Sequence, residues 1–513
     1  MSARPLPPAS GVLLVLDGWG HAPPGEGNAL AAARTPVLDT LVAGESAAFL
    51  EASGEAVGLL PGTVGNSEIG HMVIGAGRPL PYDSLLVQQQ IDSGAIATHP
   101  LLEETCRRLA ASGGTLHLIG LSSDGQIHAD LEHLAAPLAV AARHRLAAVA
   151  IHAITDGRDV PDGTATVYLE RLAQLAADAG AGRIATVTGR GYAMDKAGNT
   201  ELTDVAALAI ADGNGAQVSA AAQAVEASAR GDEWVTPSVV TDEHGKALGP
   251  IGEGDALLFL NFRSDRIQQL ADHLLTYLDA TGRRVSALSL AQYDTKTPIP
   301  ALVGRADASG GLADELERLG LRSVRIAEAE KFEHVGYYIN GRSHTVHGTE
   351  ERVLVRHPGT TDYRARPEMY LDEVTDAVLA AAAREDVALV IANLANIDVV
   401  GHTGDYHATV KAAEHTDDAV ARILGAARRA GRWVLLVGDH GNAETMMKTA
   451  PDGTTRPYGG HTLNPVPAVL VPADTAAPAP HLRRSGTLAD IAPTVLALLG
   501  HPAPPAMTGR PLL

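Results

Sequence analysis

Cysteine is nearly missing. The 513-residue chain has one, Cys106, so no disulfide can close within it and no thiolate cluster can hold a metal. That usage fits a reducing compartment. Aromatic residues make up only 4%, which leaves the cores to Ala, Val, Leu and Ile. Basic residues are outnumbered, 40 Lys and Arg against 60 Asp and Glu, for a formal net charge of −20. Such a balance argues against a nucleic-acid or anionic-lipid surface, although clustered arginines can still build an anion pocket. Long apolar runs are absent too: "GVLLVLDGWG" stops at Asp17, far short of a bilayer span. The first residues, "MSARPLPPAS", carry one Arg and no apolar core of a secretory leader, so a cytoplasmic location is expected.

What is present is a repeated pattern. Short buried-looking runs each end in polar, reactive residues: "VLLVLDGWG", "LHLIGLSSDGQIH", "AAVAIHAITDGRD", "RIATVTGRG", "DALLFLNFRSDR", "ALVIANLANIDVVGH" and "WVLLVGDHGNAE". Runs without alternation suit parallel strands covered on both faces. Ala-rich amphipathic stretches lie between them, such as "DGTATVYLERLAQLAADAG" and "HATVKAAEHTDDAVARILGAARRA". Strand, polar loop, helix, repeated, is an α/β plan, and ligands in such sheets gather beyond the carboxyl ends of the strands. A chain this long exceeds one ordinary core, so two domains or more are expected. Glycine and proline around residues 79–82 and 298–312 offer two crossings. With both, the middle is an insertion and the two ends fold together. The Pro/Ala-rich piece "ADTAAPAPHL" reads as a surface loop.

The strongest chemistry lies late in the chain. "NIDVVGHTG" sets Asp398 four residues before His402, "GDHGNAE" sets Asp439 beside His440, and "GGHTLNPVP" adds His461. With Asp17 these make three Asp and three His in glycine-flanked loops at strand ends. Carboxylate and imidazole without thiolate suit a divalent ion such as Mn, Mg, Zn or Fe(II). Six side chains exceed one open catalytic site and suit two metals sharing a substrate. A lone loop histidine is more often solvated, and Asp after a strand is often only a helix cap. The joint pattern favours the metal.

The same site gives a purpose to Ser67 in "TVGNSEIGHM", read as a tight turn bounded by Gly65 and Gly70. A serine hydroxyl is a weak nucleophile at its free pKa, and metal coordination makes it a strong one. Basic residues stand at other strand ends: Arg158 with Asp159, Arg190, Arg263 with Arg266, and later Lys331. Each Arg alone is more often a surface ion pair. Together, with His128 as a further donor, they suggest a small, multiply anionic substrate.

At this point the motifs resemble those of the cofactor-independent phosphoglycerate mutases of the alkaline phosphatase superfamily. They are "LDGWG", "GNSEIGHMVIGAGR", "SDGQIH", "TDGRDVP", "NFRSDR", "AEKFEHV", "VVGHTG", "DHGNAE", "HTLNPVP" and the ending "DIAPTVLALLG…MTGRPLL", in the family's order from about residue 11 to 513. The resemblance implies an alkaline-phosphatase-like α/β sheet domain made of 1–80 and 313–513, which binds the metals. Residues 81–312 would be an inserted α/β phosphotransferase domain that binds substrate. It implies two divalent ions, manganese above all. One would be held by Asp398, His402 and His461, the other by Asp17, Ser67, Asp439 and His440. Ser67 would carry the phosphoryl group between the 3- and 2-hydroxyls of glycerate. His128, Arg158, Asp159, Arg190, Lys196, Arg263, Arg266 and Lys331 would hold the substrate, with Asp159 handling the hydroxyl proton and Lys331 also catalytic. Two hinged domains would make a clamp that excludes water. The expected partner is a small anionic phosphorylated substrate of glycolysis, with no nucleic acid, no membrane and a monomeric chain.

The sequence departs from the family pattern in the substrate region. Where the family has a run close to "RYYAMDRDKRWER", this chain has "RGYAMDKAGNTEL", so Lys196 stands for an arginine. "HSH" becomes "HAD" with Asp130, "ETEK" becomes "EAEK", and "NPD" becomes "NID". Lysine keeps the charge but loses the two-pronged donor. Two other enzyme readings follow: a related mutase or phosphotransferase acting on another phosphate or phosphonate, and a metal-dependent phosphatase. A non-enzymatic metal-storing protein is disfavoured by the positioned serine.

Overall fold

A computed structural model describes residues 10–195, 198–356, 362–449, 455–474 and 481–513. Lys196 and the middle of the Pro/Ala-rich piece, residues 475–480, lie outside the described residues. The chain divides into two compact units, Met1–Pro81 with Asp307–Leu513, and Tyr82–Ala306. The second crossing lies ahead of the expected 312/313, because the short strand Ala301–Val303 adds to the sheet of the middle unit and its chain leaves soon after. Among the described residues no helix is long and apolar enough to cross a membrane.

All seven apolar runs form strands. In the first unit Gly11–Leu16 lies between Leu389–Leu394 and Trp433–Gly438, parallel to both. All three strands are buried along their whole length, as expected of parallel strands covered on both faces. Ser323–Glu328 and Glu350–Val355 extend this eight-stranded sheet on one side. On the other side come Val466–Val471, Ala47–Glu51 and Ser485–Thr487, of which Val466–Val471 runs against its neighbours. The 24-residue helix Tyr406–Arg429 and the helix Leu371–Ala382 cover one face.

The middle unit has its own eight-stranded sheet. Ala301–Val303, Ser286–Ala291, Ala256–Phe259, Thr115–Leu121, Ala148–Thr155 and Arg183–Gly189 are parallel. Ser238–Val240 then runs antiparallel to Arg183–Gly189, with Ala216–Val218 at the edge. The helix Ala165–Ala179 packs Leu169, Leu172 and Leu175 into one core. The helices Thr200–Asp212 and Ile267–Ala280 help form a second core. Each leucine so buried contributes about 1.5–3 kcal/mol relative to exposure.

The turn expected around Ser67 is instead a helix start. Asn66 caps the helix Ser67–Ala76, its Oδ1 accepting from Ile69 N at 3.0 Å, and Ser67 is the first helical residue. Neither flanking glycine has positive φ. They are required by close approach: a Cβ on Gly65 would run into the carbonyl oxygen of Ala52. One on Gly70 would sit 2.7 Å from the carbonyl oxygen of Asp439. The glycines let this helix press against the Asp439 loop.

Candidate active site

Asp17 follows Gly11–Leu16, Asp439 follows Trp433–Gly438, and Asp398 lies in the short helix Asn396–Gly401 just after Leu389–Leu394. Three adjacent parallel strands therefore deliver three buried carboxylates to one end of the sheet. Ser67, 5% exposed, meets them from its helix start. Its Oγ donates to Asp17 Oδ1 at 3.0 Å, lies 3.0 Å from His440 Nε2 and accepts from Lys331 Nζ at 2.6 Å. Lys331 also donates to Asp17 Oδ1 at 2.9 Å and Asp398 Oδ2 at 2.7 Å. The sequence reading makes Lys331 both a substrate-binding and a catalytic residue. The structure puts its ammonium among the serine and the carboxylates, because a short 3₁₀ turn after Ser323–Glu328 brings it to that end of the sheet.

The histidines are oriented as cation ligands. His402 Nδ1 lies 2.8 Å from the carbonyl of Gly459, and His461 Nδ1 lies 2.8 Å from the carbonyl of Gly65. A carbonyl only accepts, so in the neutral rings that bind metal the proton sits on Nδ1 and each Nε2 presents a lone pair. Those two atoms are 3.1 Å apart and lie 3.4 and 3.3 Å from Asp398 Oδ1. Two bare nitrogens converging on a carboxylate oxygen make a cation site, with second partners already fixing each ring. Asp439 Oδ1 accepts from the backbone of Gly18 and His440 at 3.1 and 3.0 Å, which leaves its buried Oδ2 without a hydrogen bond. Asp398, His402 and His461 could hold one ion and Asp17, Asp398 and His440 another; His71 also lies near Asp17 and Asp439, but its two ring nitrogens meet the carbonyl of Ser67 and the amide of Asn393. The donor set fits divalent metal.

Charge agrees with this. Burial would raise the Asp17 carboxyl, but Lys331 and His440 hold it well below the usual carboxylate range, and Asp398 is lowered against burial by Lys331 and the histidines. Burial would lower Lys331, but Asp17, Asp398 and Asp439 hold its pKa above the ordinary lysine value. Without metal, burial would also lower His440, yet Asp439, Asp17 and Asp398 push it up to about 10. The three carboxylates thus hold Lys331 and His440 in their positive forms, whereas burial and the charge on His440 lower His461.

The arginines gather separately, in the middle unit. Arg190 opens the helix Arg190–Ala193 after Arg183–Gly189 and is 2% exposed. Its Nη1 lies 2.6 Å from Asp156 Oδ1 and 2.7 Å from Asp159 Oδ2. Asp156 also accepts from Ser123 Oγ at 2.6 Å and from the backbone of Arg158 and Asp159 at 3.1 and 2.9 Å. His128 lies 4.0 Å from Asp159 and 3.5 Å from Asp265, and Arg263 is 3.2 Å from Asp265. Arg158 is the most exposed of the arginines, its side chain 55% open and 3.6 Å from Glu233. The buried Nε of Arg266 has no hydrogen-bond partner. Burial lowers Arg266, and the fields of Arg158, Arg190 and Arg263 add to this. Burial, followed by Arg263, Arg190, Arg266 and Arg158, pushes His128 down to about 2. These four guanidiniums and a neutral imidazole share one field, the signature of an anion pocket. Burial raises Asp159 above the ordinary carboxyl, although Arg190 opposes it.

Sequence reasoning missed several partners. Asp156 stood inside "TDGRDV" unused. Asn393, a lone amide in the buried strand Leu389–Leu394, donates to Asp17 Oδ2 at 2.6 Å. His71 lies one helical turn beyond Ser67, on the same face, and Asn442 Nδ2 is 3.4 Å from Asp398 Oδ1.

A family profile described as "Metalloenzyme superfamily" matches residues 9–503. The 2,3-bisphosphoglycerate-independent phosphoglycerate mutase of Streptomyces coelicolor is 65% identical over 510 residues, 99% of each chain. The protein of that name from Synechococcus sp. (strain JA-2-3B'a(2-13)) is 40% identical over 516 residues, covering 98% of this chain and 95% of its own. Among solved structures, the phosphoglycerate mutase of Leishmania mexicana, studied at low cobalt concentration, superposes with a TM-score of 0.78. It is 28% identical, with 98% of each chain covered. The chain belongs to the 2,3-bisphosphoglycerate-independent phosphoglycerate mutase family, within the metalloenzyme superfamily.

Proposed function

We propose that the chain is a metal-dependent isomerase that interconverts 3- and 2-phosphoglycerate through a phosphoserine at Ser67. Full-length identity of 65% to a phosphoglycerate mutase supports the reaction. The observation that carries the mechanism is the Ser67 hydroxyl, held within 3.0 Å of Lys331, Asp17 and His440.

In this reading Asp398, His402 and His461 hold one ion, and Asp17, Ser67, Asp439 and His440 the other, with Mn2+ as the metal. When bound, the ions supply positive charge that the buried carboxylates lack and that a developing alkoxide needs. Ser67 Oγ gives up its proton and bonds phosphorus, the bond from phosphorus to the substrate's 3-oxygen breaks, and that oxygen takes up a proton to leave as a hydroxyl. The 2-hydroxyl then gives up its proton and bonds phosphorus, the bond from phosphorus to Ser67 Oγ breaks, and Oγ takes up a proton, which restores the serine. Lys331 Nζ, already donating to Ser67 Oγ, offsets negative charge on that oxygen in both halves. Arg158, Arg190, Arg263, Arg266, Lys196 and neutral His128 are assigned to the substrate's anionic groups. Asp159, a buried carboxyl raised by that burial and set 4.0 Å from His128 and 2.7 Å from Arg190, is assigned to the hydroxyl proton. The enzyme is further proposed to act as a monomer in the cytoplasm, which size-exclusion chromatography and fractionation would check.

Phosphorus NMR of the purified protein with Mn2+ and 3-phosphoglycerate tests this directly. The expected product is 2-phosphoglycerate, with phosphoserine recovered on the peptide containing Ser67 and neither formed by Ser67→Ala. Release of inorganic phosphate instead would make the protein a phosphatase, and absence of turnover would move it to another phosphorylated substrate.

A further inference from the structure

Two fully buried side chains behind the carboxylates, His71 and Asn393, are hydrogen-bonded to one another in only one self-consistent way. His71 Nδ1 is 2.8 Å from the carbonyl of Ser67, four residues earlier in its helix. That oxygen only accepts, so Nδ1 carries the proton and Nε2 is bare. Nε2 lies 3.0 Å from Asn393 Nδ2, which must therefore donate to it. The same Nδ2 donates its other hydrogen to Asp17 Oδ2 at 2.6 Å. A flipped amide would set its oxygen against both a carboxylate oxygen and an imidazole lone pair, so the orientation is fixed. A chain of bonds then runs from the backbone of Ser67 through His71 and Asn393 to Asp17.

The consequence is a division of labour within each carboxylate. Asp17 Oδ2 is committed to Asn393, and Oδ1 alone faces Ser67, Lys331 and His440 at 3.0, 2.9 and 3.4 Å. Asp439 Oδ1 is committed to two backbone amides, and its Oδ2, 3.3 Å from His71 Nδ1, is left open. Each carboxylate therefore offers one oxygen. We propose that His71 and Asn393 are positioning residues that hold Asp17 as a single-oxygen ligand, in register with the Ser67 helix start. They would thereby tune the ion assigned to Asp17, Ser67, Asp439 and His440. This rests on the dimetal reading above. It makes the pair specific to one of the two ions, because the Asp398, His402 and His461 group is fixed by other partners, the carbonyls of Gly459 and Gly65.

Calorimetric titration of metal-free protein with Mn2+ tests the inference. Wild type should bind two ions. Asn393→Leu, close in shape but unable to donate, should weaken one of them by about 10–100-fold and leave the other within about threefold. His71→Gln should act on the same ion. A merely structural role would weaken both ions together or neither, and either result in folded variants overturns the proposal. Should the variants not fold, a crystal structure of Mn2+-loaded wild type decides: Asp17 bound through Oδ1 with Oδ2 on Asn393 supports it, and Asp17 bound through both oxygens refutes it. Wild type binding fewer than two ions would sink the dimetal reading first, and this inference with it.

Discussion

Replacing Lys331 with methionine keeps most of the side chain's length but removes an ammonium that lies 2.9 Å from Asp17, 2.7 Å from Asp398 and 2.6 Å from Ser67. At an effective dielectric of about 20, each carboxylate pair is worth roughly 6 kcal/mol of gross attraction. Desolvation of three buried charged groups offsets much of that. The measured cost of stripping one partner from a buried pair is about 3–5 kcal/mol, because the survivors stay buried and unpaired. Spread over a folding unit of this size, at roughly 2–4 °C per kcal/mol, the metal-free variant should melt about 10 °C lower. Mn2+ should narrow that gap, since divalent charge replaces the missing ammonium. Turnover should not recover: loss of a preorganised donor on the reacting oxygen costs about 10²–10³ in kcat. The assays are thermal denaturation with and without Mn2+, and the rate of 2-phosphoglycerate formation at saturating substrate. A metal-free variant melting within about 2 °C of wild type would show that Lys331 does not offset the carboxylates. A kcat within about threefold would show that its bond to Ser67 is incidental.

Two further outcomes probe the middle unit. Because His128 is held down to about 2, first by burial and then by the arginines, its neutral form stabilises the native state above the unfolded pKa. That stability is lost as pH falls below about 6.5, where only the unfolded chain takes the proton, by about 2 kcal/mol at pH 5. Urea midpoints at about pH 7.5 and pH 5 should therefore differ more in wild type than in His128→Gln, and equal differences would refute the assignment. Asp156→Asn removes the charge that Arg190 meets at 2.6 Å and disturbs the backbone of Arg158 and Asp159. It should raise KM for phosphoglycerate about tenfold, and an unchanged KM would detach this aspartate from the pocket.

The sequence disclosed those elements whose physics is local. Continuous apolar runs became the central parallel strands because burial on both faces leaves no alternation to read. Strands such as Ser323–Glu328 escaped notice because Arg325 and Glu328 break the apolar run, although both are buried in the fold. Asp17, Asp398, Asp439 and the histidines were legible because reactive side chains stood directly after buried runs. Ser67 was legible as a reactive hydroxyl but not as a helix start: Gly65 and Gly70 suggested a turn, and only tertiary contact with Ala52 and Asp439 explains them. Lys331 is expected from the sequence both among the substrate-binding residues and as catalytic, because a positive charge in sequence does not say whether it meets the substrate or the protein's own carboxylates. Asn393 and His71 carried no signal beyond being polar in apolar surroundings: Asn393 meets Asp17 and His71 across hundreds of residues, and the local bond of His71 is to the backbone of Ser67, which any helical histidine could make.

The departures from the family pattern bear on specificity in a definite way. An aspartate in place of histidine at position 130 adds negative charge, and both its oxygens are turned to local donors: Oδ1 accepts from Glu132 N at 3.0 Å as the cap of a short 3₁₀ turn, and Oδ2 accepts from Gln126 Nε2 at 2.8 Å. Ile397, in place of proline, is wholly buried in the helix that carries Asp398. Both substituted side chains are held by their own surroundings, and the four arginines keep their common field around His128. A pocket with that field still suits a small molecule bearing a carboxylate and a phosphate. Of the departures, Asp130 and Ile397 therefore weigh less against phosphoglycerate than Lys196, where the two-pronged donor itself is lost.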